Sequence, residues 1–424
     1  MQRRDYIKAS GSIAAGATLG VSGCLGGSSE ETLEFWHDKG DWEEHYETAL
    51  VPINEQLDEQ YDGEYQLEQV PETGEYEGAI RPVLGSEDGP ALFTWWVGDR
   101  LRQIVEDDYA YDITHIWDDY IAEGAYPEGM IDSFGFDDQA YSIPTGLSYW
   151  VIWYKPSTFD DLGVEPPETF DDFFTLCDTI QEESGGDTAP LTIPLTSDWQ
   201  GFVWWMELVI GQDPQFYNDV CAGDASYTDE PSVTALETMG EMVNEGYFGD
   251  PEALFSLEYS DMILGMEDQS YAMFAMGDWV SSPIEDTGAD FDEYDWFVFP
   301  EMNSDLDPQM VAEPQPIVPH SGLDDEDALD ALAEVLMSQE VQQVLSEGIN
   351  YIPPHNDVST DHLPESKQRL AASLGDYQFS LRYWENAPAS VAPPAAETMS
   401  KIFTEPDDPE GVAQEVEDIA QQNQ

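Results

Sequence analysis

Cys24 is the residue whose surroundings most clearly indicate a specific chemistry. It lies shortly after a stretch of small and apolar residues (9–19), and that stretch follows the pair Arg3-Arg4. Paired arginines, a short apolar segment and a cysteine in this order resemble a twin-arginine export signal that ends in a lipobox. The apolar stretch is too short to span a bilayer, which requires about 20 residues. The pattern therefore predicts that the chain is exported already folded and that the Cys24 thiol carries a lipid.

Other motifs of catalysis or metal binding do not occur in the sequence. It contains no Cys-x-x-Cys, no His-Glu-x-x-His and no Cys/His cluster, so we expect no zinc site. It also lacks a Gly-x-Ser-x-Gly motif, a P-loop and an EF-hand calcium loop, and we expect no cofactor. Besides Cys24, only Cys177 and Cys221 are present, and either a disulfide or two buried free thiols would fit them.

The charge of the chain indicates the medium in which it works. Ninety Asp and Glu residues against twelve Lys and Arg give a net charge of −78, and residues 156–366 contain no Lys or Arg. Such a chain repels itself in dilute buffer, yet 41% hydrophobic residues are enough for a core. Multimolar salt, in which the Debye length is below about 3 Å, would screen the repulsion, which predicts an extreme halophile. The same charge argues against nucleic acid as a partner.

Patterns of apolar and polar residues predict an α/β fold. Apolar residues at helical spacing favour helices, and alternating or continuous apolar runs favour strands. The predicted strands are 32–37, 65–70 and 91–94, and the predicted helices are 41–60, 75–84, one that begins at Thr169, and 324–346. Strands that alternate with helices predict mostly parallel sheets, with ligands at the carboxyl ends of the strands.

Six segments with recognisable motifs then follow one another over about 320 residues. They are 36–40, 93–100, 141–155, 166–173, 271–279 and 338–353. The first contains Asp-Lys-Gly, the second Trp-x-x-Asp-Arg, and the fifth ends in Gly-x-Trp. In this order they resemble the extracellular solute-binding proteins of carbohydrate ABC importers, the family that includes maltose-binding protein. The chain departs from that family at Glu313 and Pro314, where many members have two glycines, and this departure leaves the identity of the sugar open.

The resemblance implies a two-lobed α/β fold of the periplasmic-binding-protein (Venus flytrap) type, with discontinuous lobes and a hinge. The expected organisation is a signal (1–23), a tether (24–31), an N-terminal lobe (32–143 plus 300–348) and a C-terminal lobe (144–299 plus 349–424). In this arrangement the chain crosses between the lobes three times. We expect a separate sheet in each lobe.

The resemblance also implies a sugar-binding site. A sugar presents C–H faces on which aromatic rings stack, and hydroxyl groups that hydrogen-bond to charged side chains. The candidate ligand-binding residues are Trp36, His37, Asp38, Lys39, Trp96, Asp99, Arg100 and Trp279. Because basic residues are so rare in this chain, Lys39 and Arg100 receive extra weight. By contrast, we expect Lys367, Arg369 and Arg382 on helix surfaces.

The resulting hypothesis is a sugar-binding component of an ABC importer, anchored by lipid on the extracellular face of the cell membrane. It would capture a mono- or oligosaccharide between its lobes and deliver it to the permease, as a monomer and without catalysis. One alternative keeps the fold but binds a cationic ligand such as a polyamine or thiamine. Another is a secreted polysaccharide-active enzyme, which would need two carboxylates about 5–9.5 Å apart. The order of the motifs favours binding.

Overall fold

The computed structural model describes residues 31–38, 43–62, 64–71, 76–86 and 89–423. The signal with Cys24 and the candidate ligand residue Lys39 lie outside these residues, so the predictions made for them stay predictions. Among the described helices, none is both long and apolar enough to cross a lipid bilayer.

The strands lie where the sequence predicts them in the first hundred residues, and further strands follow. The strands are β1 (Glu31–His37), β2 (Tyr65–Pro71), β3 (Leu92–Thr94), β4 (Gly135–Phe136), β5 (Gln139–Ala140), β6 (Ile143–Tyr154), β7 (Ala189–Thr192), β8 (Tyr271–Gly277), β9 (Asp295–Phe297), β10 (Gln309–Pro319) and β11 (Gln378–Leu381).

Helices connect most of these strands and cover the sheet. The helices are α1 (Glu43–Gln60), α2 (Tyr76–Leu84), α3 (Asp99–Glu106), α4 (Thr114–Ala122), α5 (Pro156–Leu162), α6 (Phe170–Ser184), α7 (Val203–Ile210), α8 (Pro214–Ala222), α9 (Glu230–Asn244), α10 (Pro251–Leu254), α11 (Tyr259–Glu267), α12 (Ser281–Asp286), α13 (Glu326–Met337), α14 (Gln339–Ile349), α15 (Glu365–Ser373), α16 (Tyr383–Asn386), α17 (Ala392–Met399) and α18 (Pro409–Gln422).

The main sheet is mixed and continuous, so the prediction of a separate, mostly parallel sheet in each lobe is wrong. The strand order is β2-β1-β3-β10-β6-β8-β7, with β11 on β10 and β9 on β6. β1 pairs in parallel with β2 and β3, but β10 pairs antiparallel with β3 and β6, and β6 pairs antiparallel with β8. The physical reason is that β6 and β10 are long enough, at 12 and 11 residues, to extend from one core into the other. Their pairing joins the sheet across the middle of the molecule.

Two groups of buried hydrophobic residues lie on the two sides of these long strands. One group comes from 33–143 and 317–345 and packs with a smaller cluster around β3 and α3. The other comes from 149–311 and 352–420. Each group combines segments that are far apart in sequence, so neither could form from one continuous piece of chain. The limits that we predict for the lobes remain a proposal.

A third connection between the two groups follows α14. Asn350 ends this helix in the left-handed conformation, with φ of 55°. Ile352 then forms a bridge with Leu147 of β6, whose backbone N–H donates to the Ile352 carbonyl at 3.0 Å. Gly146 allows this approach, because a Cβ at that position would lie 2.8 Å from the side chain of Tyr351. Three chain segments, β6, β10 and 350–352, therefore run side by side between the two cores.

Two local predictions have different outcomes. Thr169 caps α6 as predicted, because its hydroxyl accepts a hydrogen bond from the Asp172 backbone N–H at 3.2 Å. The predicted helix 324–346 is instead two helices, since Ser338 has an extended backbone (φ −66°, ψ 148°) between α13 and α14. The sequence left open whether Cys177 and Cys221 form a disulfide, and in the structure both are buried free thiols.

Candidate ligand-binding cleft

A cavity of about 490 Å³ lies where the two cores meet, beside β10. The loops after β1 and β3 contribute one part of its wall, and the segments around residues 199, 280 and 384 contribute another. The lining residues are Asp38, Thr94, Trp95, Trp96, Trp199, Trp279, Ser282, Pro283, Asp286, Glu313, Pro314, Gln315, Ile349, Tyr351, Arg382 and Trp384. Of the candidate residues that the structure describes, Asp38, Trp96 and Trp279 line this cavity.

Asp38 is positioned by the ends of two parallel strands. It follows β1, and Thr94 ends the neighbouring β3, so both lie at the carboxyl edge of the sheet. The Asp38 backbone N–H donates to Thr94 Oγ1 at 3.1 Å, and Thr94 Oγ1 donates to Asp38 Oδ1 at 2.9 Å. The Tyr76 hydroxyl donates to the Thr94 carbonyl at 3.0 Å and so supports the strand end. These contacts fix the direction of the Asp38 carboxylate.

Tryptophan rings form a large part of the cavity wall. Trp199 and Trp279 meet with ring centroids 6.1 Å apart and an interplanar angle of 65°. Trp150 lies behind both, at 5.8 Å from Trp199 and 6.5 Å from Trp279. On the side of β3, Trp96 contacts Trp95 at 5.1 Å. Edge-to-face contacts of this kind hold in fixed orientations the rings of Trp199, Trp279 and Trp96, which line the cavity.

Glu313, on β10, connects the tryptophans to the charged groups of the cavity. Its Oε2 accepts hydrogen bonds from the indole N–H groups of Trp150 at 3.0 Å and Trp279 at 3.1 Å. The guanidinium of Arg382 lies 3.0 Å from the same oxygen, and Gln315 donates to Oε1 at 3.2 Å. One buried carboxylate therefore fixes two indole rings and an arginine. In the sequence, Glu313 is marked only by its departure from the resembled family, so no role is predicted for it.

Arg382 lies inside the site, so its prediction as a helix-surface residue is wrong. It precedes α16, and besides Glu313 it binds Glu385, to which Nε donates at 2.8 Å. Its guanidinium lies 5.8 Å from the ring centroids of both Trp150 and Trp199. Burial raises the pKa of Glu385, and the attraction of Arg382 opposes that rise. Charged groups remain buried here because each has partners of opposite charge.

The predicted position of Lys367 on a helix surface is also wrong, because Lys367 is completely buried on α15. Its ammonium lies 3.4 Å from the carboxylate of Asp278, which is equally buried and directly precedes Trp279. Arg369, on the same helix, does have the exposed side chain that we predict. Two basic residues on one helix, with the same predicted surface position, therefore differ completely in burial.

Arg100 lies behind the cavity wall rather than on it. Its guanidinium lies between two rings of the wall, 4.8 Å from the centroid of Trp96 and 4.9 Å from that of Trp384. Nε donates to the Trp384 carbonyl at 3.2 Å, and Nη1 donates to Glu77 at 3.1 Å. Burial lowers the pKa of Arg100, and Glu77 opposes the decrease. Arg100 thus links α3 to α16, and its direct contact with a ligand remains a prediction.

The close approach of α3 and α16 depends on a glycine. Gly98 precedes α3 with φ of 65°, and a Cβ at this position would lie 2.4 Å from the carbonyl oxygen of Glu385. The residue that follows, Asp99, turns away from the cavity. Its carboxylate accepts hydrogen bonds from Arg102 and, at 2.9 Å, from Gln103 on its own helix.

Two other candidates lie away from the cavity. His37 is completely buried, with Nε2 2.9 Å from Gln69 Oε1 and its ring 4.7 Å from that of Tyr46. Trp36 points to the other face of β1, where its indole N–H donates to Glu34 at 2.9 Å. Neither lines the cavity, so their role as ligand residues also stays a prediction.

A metal site does not occur in the part of the chain that the structure describes, since no three Asp, Glu, His or Cys side chains there are grouped to hold an ion. The cavity is lined by aromatic rings, carboxylates, one arginine, hydroxyl groups and the Gln315 amide. These groups stack on and hydrogen-bond to a polar organic ligand.

Comparison with solved structures identifies the class of this fold. A chitin oligosaccharide binding protein superimposes with a TM-score of 0.78 at 16% identity, over 93% of this chain and 99% of that one. The solute-binding protein RafE, solved in complex with raffinose, gives a TM-score of 0.72 at 14% identity, over 92% and 99%. Both are two-lobed solute-binding proteins, which confirms the predicted two-lobed α/β fold.

The family follows from sequence comparison. Residues 53–372 match the bacterial extracellular solute-binding proteins, and the chain belongs to this family. An uncharacterized ABC transporter extracellular-binding protein of Pyrococcus horikoshii is 25% identical over 290 residues, which are 63% of this chain and 64% of that protein. The chain thus spans less than two thirds of the length of that relative. The match to the family confirms the predicted class, an extracellular solute-binding protein.

Proposed function

We propose that this chain is the sugar-binding component of an ABC importer, which captures a carbohydrate in the cleft beside β10. The observation that carries the proposal is the combination of five tryptophans with the Glu313–Arg382 pair in one cavity at the junction of the two cores. Aromatic faces suit the C–H faces of a sugar ring, and charged groups held in fixed positions suit its hydroxyls. Several relatives in fold are named for sugars, including a chitin oligosaccharide and raffinose.

In this proposal, binding shifts an equilibrium between open and closed forms. Asp38 and Trp96 would contact the sugar from one core, and Trp279 and Trp384 from the other. A ligand that contacts both sides binds the closed form more tightly and so favours it. The closed form would then dock on the permease of the importer.

The proposed activity is binding without catalysis. The named relatives are binding proteins. The polysaccharide-active enzyme considered for this sequence would release altered sugar, which a binding protein does not. Recovery of unchanged ligand therefore distinguishes the two.

A cationic ligand is a second candidate because of the charge of the cavity. The carboxylates of Asp38, Asp286 and Glu313 line it, whereas its one lining arginine, Arg382, is already paired with Glu313 and Glu385. Such a cavity would also suit a polyamine. This candidate belongs in the same ligand screen as the sugars.

The test is a thermal-shift screen in molar KCl with sugars, spermidine and thiamine. A ligand present at 100 times its Kd stabilises the folded form by about 2.7 kcal/mol, so a binding sugar raises Tm measurably. Trp279→Ala should weaken the affinity for that sugar at least about tenfold, because a stacking face is lost. The exposed Phe379→Ala, outside the cavity, serves as the control. Stabilisation by spermidine or thiamine alone would contradict the sugar proposal.

We further propose that the protein is exported by the twin-arginine pathway and anchored through lipid on Cys24. The paired arginines and the cysteine after a short apolar stretch support this proposal. Cys24→Ser should release the protein into the medium or leave it unprocessed. Membrane fractionation that finds Cys24→Ser in the same fraction as the parent would refute the anchor.

A further inference from the structure

We propose that residues 355–362 form a strap that stays bound to the core made by 33–143 and 317–345 only while His355 and His362 are uncharged, so that acid releases it. The strap follows the connecting segment 350–352 and precedes α15, which packs in the other core. It thus links the two cores, and its release would change how they are connected.

The beginning of the strap is attached just after α4. The Asn356 backbone N–H donates to the Ala125 carbonyl at 2.7 Å, and the Asn356 side-chain amide donates to the Gly124 carbonyl at 2.9 Å. The rings of His355 and Tyr126 meet edge to face, with centroids 5.1 Å apart. Ala125 and Tyr126 are buried members of the core of 33–143 and 317–345. The chain therefore returns to this core after it has passed the connection 350–352.

The rest of the strap lies along α14. The Gln339 side chain donates to the Asp357 carbonyl at 2.7 Å, and the Ser359 backbone N–H donates to Gln343 Oε1 at 3.2 Å. Directly after the strap, Leu363 is 3% exposed and packs in the other core. The contacts of the strap therefore fix the point at which this connection leaves α14.

One ring nitrogen of His362 is a hydrogen-bond donor. Ser346 Oγ, on α14, donates to the Tyr351 carbonyl at 2.7 Å and lies 2.9 Å from His362 Nε2. A hydroxyl has a single hydrogen, which the carbonyl already receives. The second contact therefore requires the hydrogen on Nε2 of His362.

The other nitrogen of His362, Nδ1, faces a donor. The Gln343 amide has a fixed orientation, because its Oε1 accepts from the Ser359 N–H and its Nε2 donates to Glu347 at 2.8 Å. The same Nε2 lies 3.4 Å from His362 Nδ1. An amide nitrogen can only donate, so Nδ1 is an acceptor without a hydrogen. With its hydrogen on Nε2 alone, His362 is neutral in the bound strap.

His355 has the same requirement. Its Nδ1 accepts a hydrogen bond from the Asp357 backbone N–H at 3.1 Å, and its side chain is 5% exposed. A hydrogen on this Nδ1 would place two donors against each other in a buried position, where the lost hydrogen bond is not replaced by water. Burial lowers the pKa of His355, and the attraction of Asp357 opposes the decrease.

The carboxylates around the two rings do not replace these contacts. Asp357 attracts a protonated His355, Glu347 binds the amide that faces His362, and Asp361 is the neighbour of His362 in sequence. Among the described residues, neither ring has a hydrogen bond to a carboxylate. Histidine in an unfolded chain titrates near about pH 6.5, so a released strap binds protons that the bound strap excludes. The strap is therefore bound at neutral pH and freed progressively as the pH falls below about 6.5.

Release of the strap would loosen a connection beside the cleft. Tyr351 lines the cavity, and the next residue, Ile352, bridges to Leu147 of β6. While the strap is bound, this segment is held between α14 and the strap. Once the strap is free, the segment gains conformational freedom that closure around a ligand would have to remove. This consequence rests on the proposed function and predicts weaker sugar binding in acid.

The test is residue-resolved amide hydrogen exchange in molar KCl at about pH 7.5 and about pH 5, with rates corrected for the intrinsic pH dependence of exchange. Protection of the Asn356, Asp357 and Ser359 amides should fall about tenfold or more at the lower pH, because their hydrogen bonds are lost. The amides of β1 should keep their protection.

Variants identify the histidines as the cause. His355→Asn/His362→Gln keeps an acceptor near Nδ1 of the first ring and a donor near Nε2 of the second, neither of which titrates, so the pH dependence should disappear. His115→Asn is the matched control, because His115 is 56% exposed on α4 and should leave the pH dependence intact. Asn356→Ala removes the contact with Gly124 and should lower the protection of the strap already at about pH 7.5.

Unchanged protection of the strap at about pH 5, or a loss that persists in His355→Asn/His362→Gln, would overturn the inference. Calorimetry with the sugar that the ligand screen identifies should give about fivefold or more weaker binding at about pH 5 in the parent, and no such change in the double variant. Equal affinity of the parent at both pH values would overturn the coupling to the cleft. Absence of sugar binding at either pH would overturn the proposed function, while the exchange result still decides on the strap.

Discussion

Replacing Lys367 tests how the segments between the two cores are held together. Its ammonium lies 3.4 Å from Asp278 Oδ2 and donates to the Asn350 carbonyl at 2.6 Å. Asp278 Oδ1 in turn accepts from the Tyr149 backbone N–H of β6 at 2.9 Å. The pair thus joins α15, β6 and the segment after α14 in one buried cluster next to Trp279.

The expected cost of removing the cation follows from its burial. Lys367→Met leaves the Asp278 carboxylate, whose side chain is 0% exposed, without its partner. At 3.4 Å and an effective dielectric constant of about 20, the Coulomb attraction is about 5 kcal/mol. Burial also lowers the pKa of Lys367, so desolvation of the ammonium opposes the attraction. We therefore expect a loss of about 3 kcal/mol, the lower end of the range for broken buried pairs.

The assay is urea unfolding in molar KCl, followed by tryptophan fluorescence. Arg369→Met is the matched control, because Arg369 lies on the same helix and pairs with Asp295 while 51% exposed. An exposed pair contributes about 0–1 kcal/mol. The double variant Lys367→Met/Asp278→Asn should recover most of the loss, since no buried charge remains. A cost for Lys367→Met no larger than that of Arg369→Met would refute the reasoning.

Three further predictions follow from the cleft, the histidines and the charge. Glu313→Gln should reduce sugar affinity about ten- to a hundredfold in calorimetry, because it removes the charge that holds Arg382 and Trp279; an unchanged affinity would contradict the assigned role. Burial lowers the pKa of His355 below its usual value of about 6.5, and the His355 Nδ1 accepts a hydrogen bond from the Asp357 N–H. The unfolded chain binds that proton more tightly, so unfolding free energy should fall as pH drops through about 6.5, and less so in His355→Asn. The Tm should rise steeply with KCl up to molar concentrations because 90 acidic residues are screened, and a flat Tm would exclude the halophile interpretation.

The residues of the candidate site that follow the ends of strands could be predicted from the sequence. Asp38 and Trp96 follow β1 and β3, and a residue after a parallel strand lies at the ligand-binding edge of the sheet. Trp279 is predicted by the Gly-x-Trp motif at the end of β8. In each case local pattern and position along the chain were sufficient, because the chain direction at the end of a strand fixes where the next residues lie.

The central charged cluster could not be found in this way. Glu313 contacts Trp150, which is 163 positions away in sequence, and no local pattern encodes such a contact. One signal was available for the basic residues. Because the chain contains only twelve Lys and Arg against ninety Asp and Glu, each basic residue is a candidate partner for a buried carboxylate. In the described residues, the side chains of Arg100, Lys367 and Arg382 are indeed only 0–7% exposed.

The helix break at Ser338 has a similar explanation. Apolar periodicity continues from α13 into α14, so the pattern alone predicts one helix. The Ser338 hydroxyl donates to the Val335 carbonyl at 2.7 Å, and its backbone is extended where the second helix begins. A serine at the cap position with an acidic residue in the first turn, here Glu340, is typical of a helix start. The residue types at the start of α14 therefore indicate the break, whereas the apolar periodicity does not.

The most direct test of the central claim is calorimetric titration of the purified protein, in molar KCl, with the sugar that the screen identifies. The sugar recovered afterwards is analysed by chromatography. The account predicts one ligand per chain, recovery of unchanged sugar, and at least about tenfold weaker binding by Trp279→Ala. Absence of sugar binding, recovery of altered sugar, or equal affinity of Trp279→Ala and the parent would contradict it.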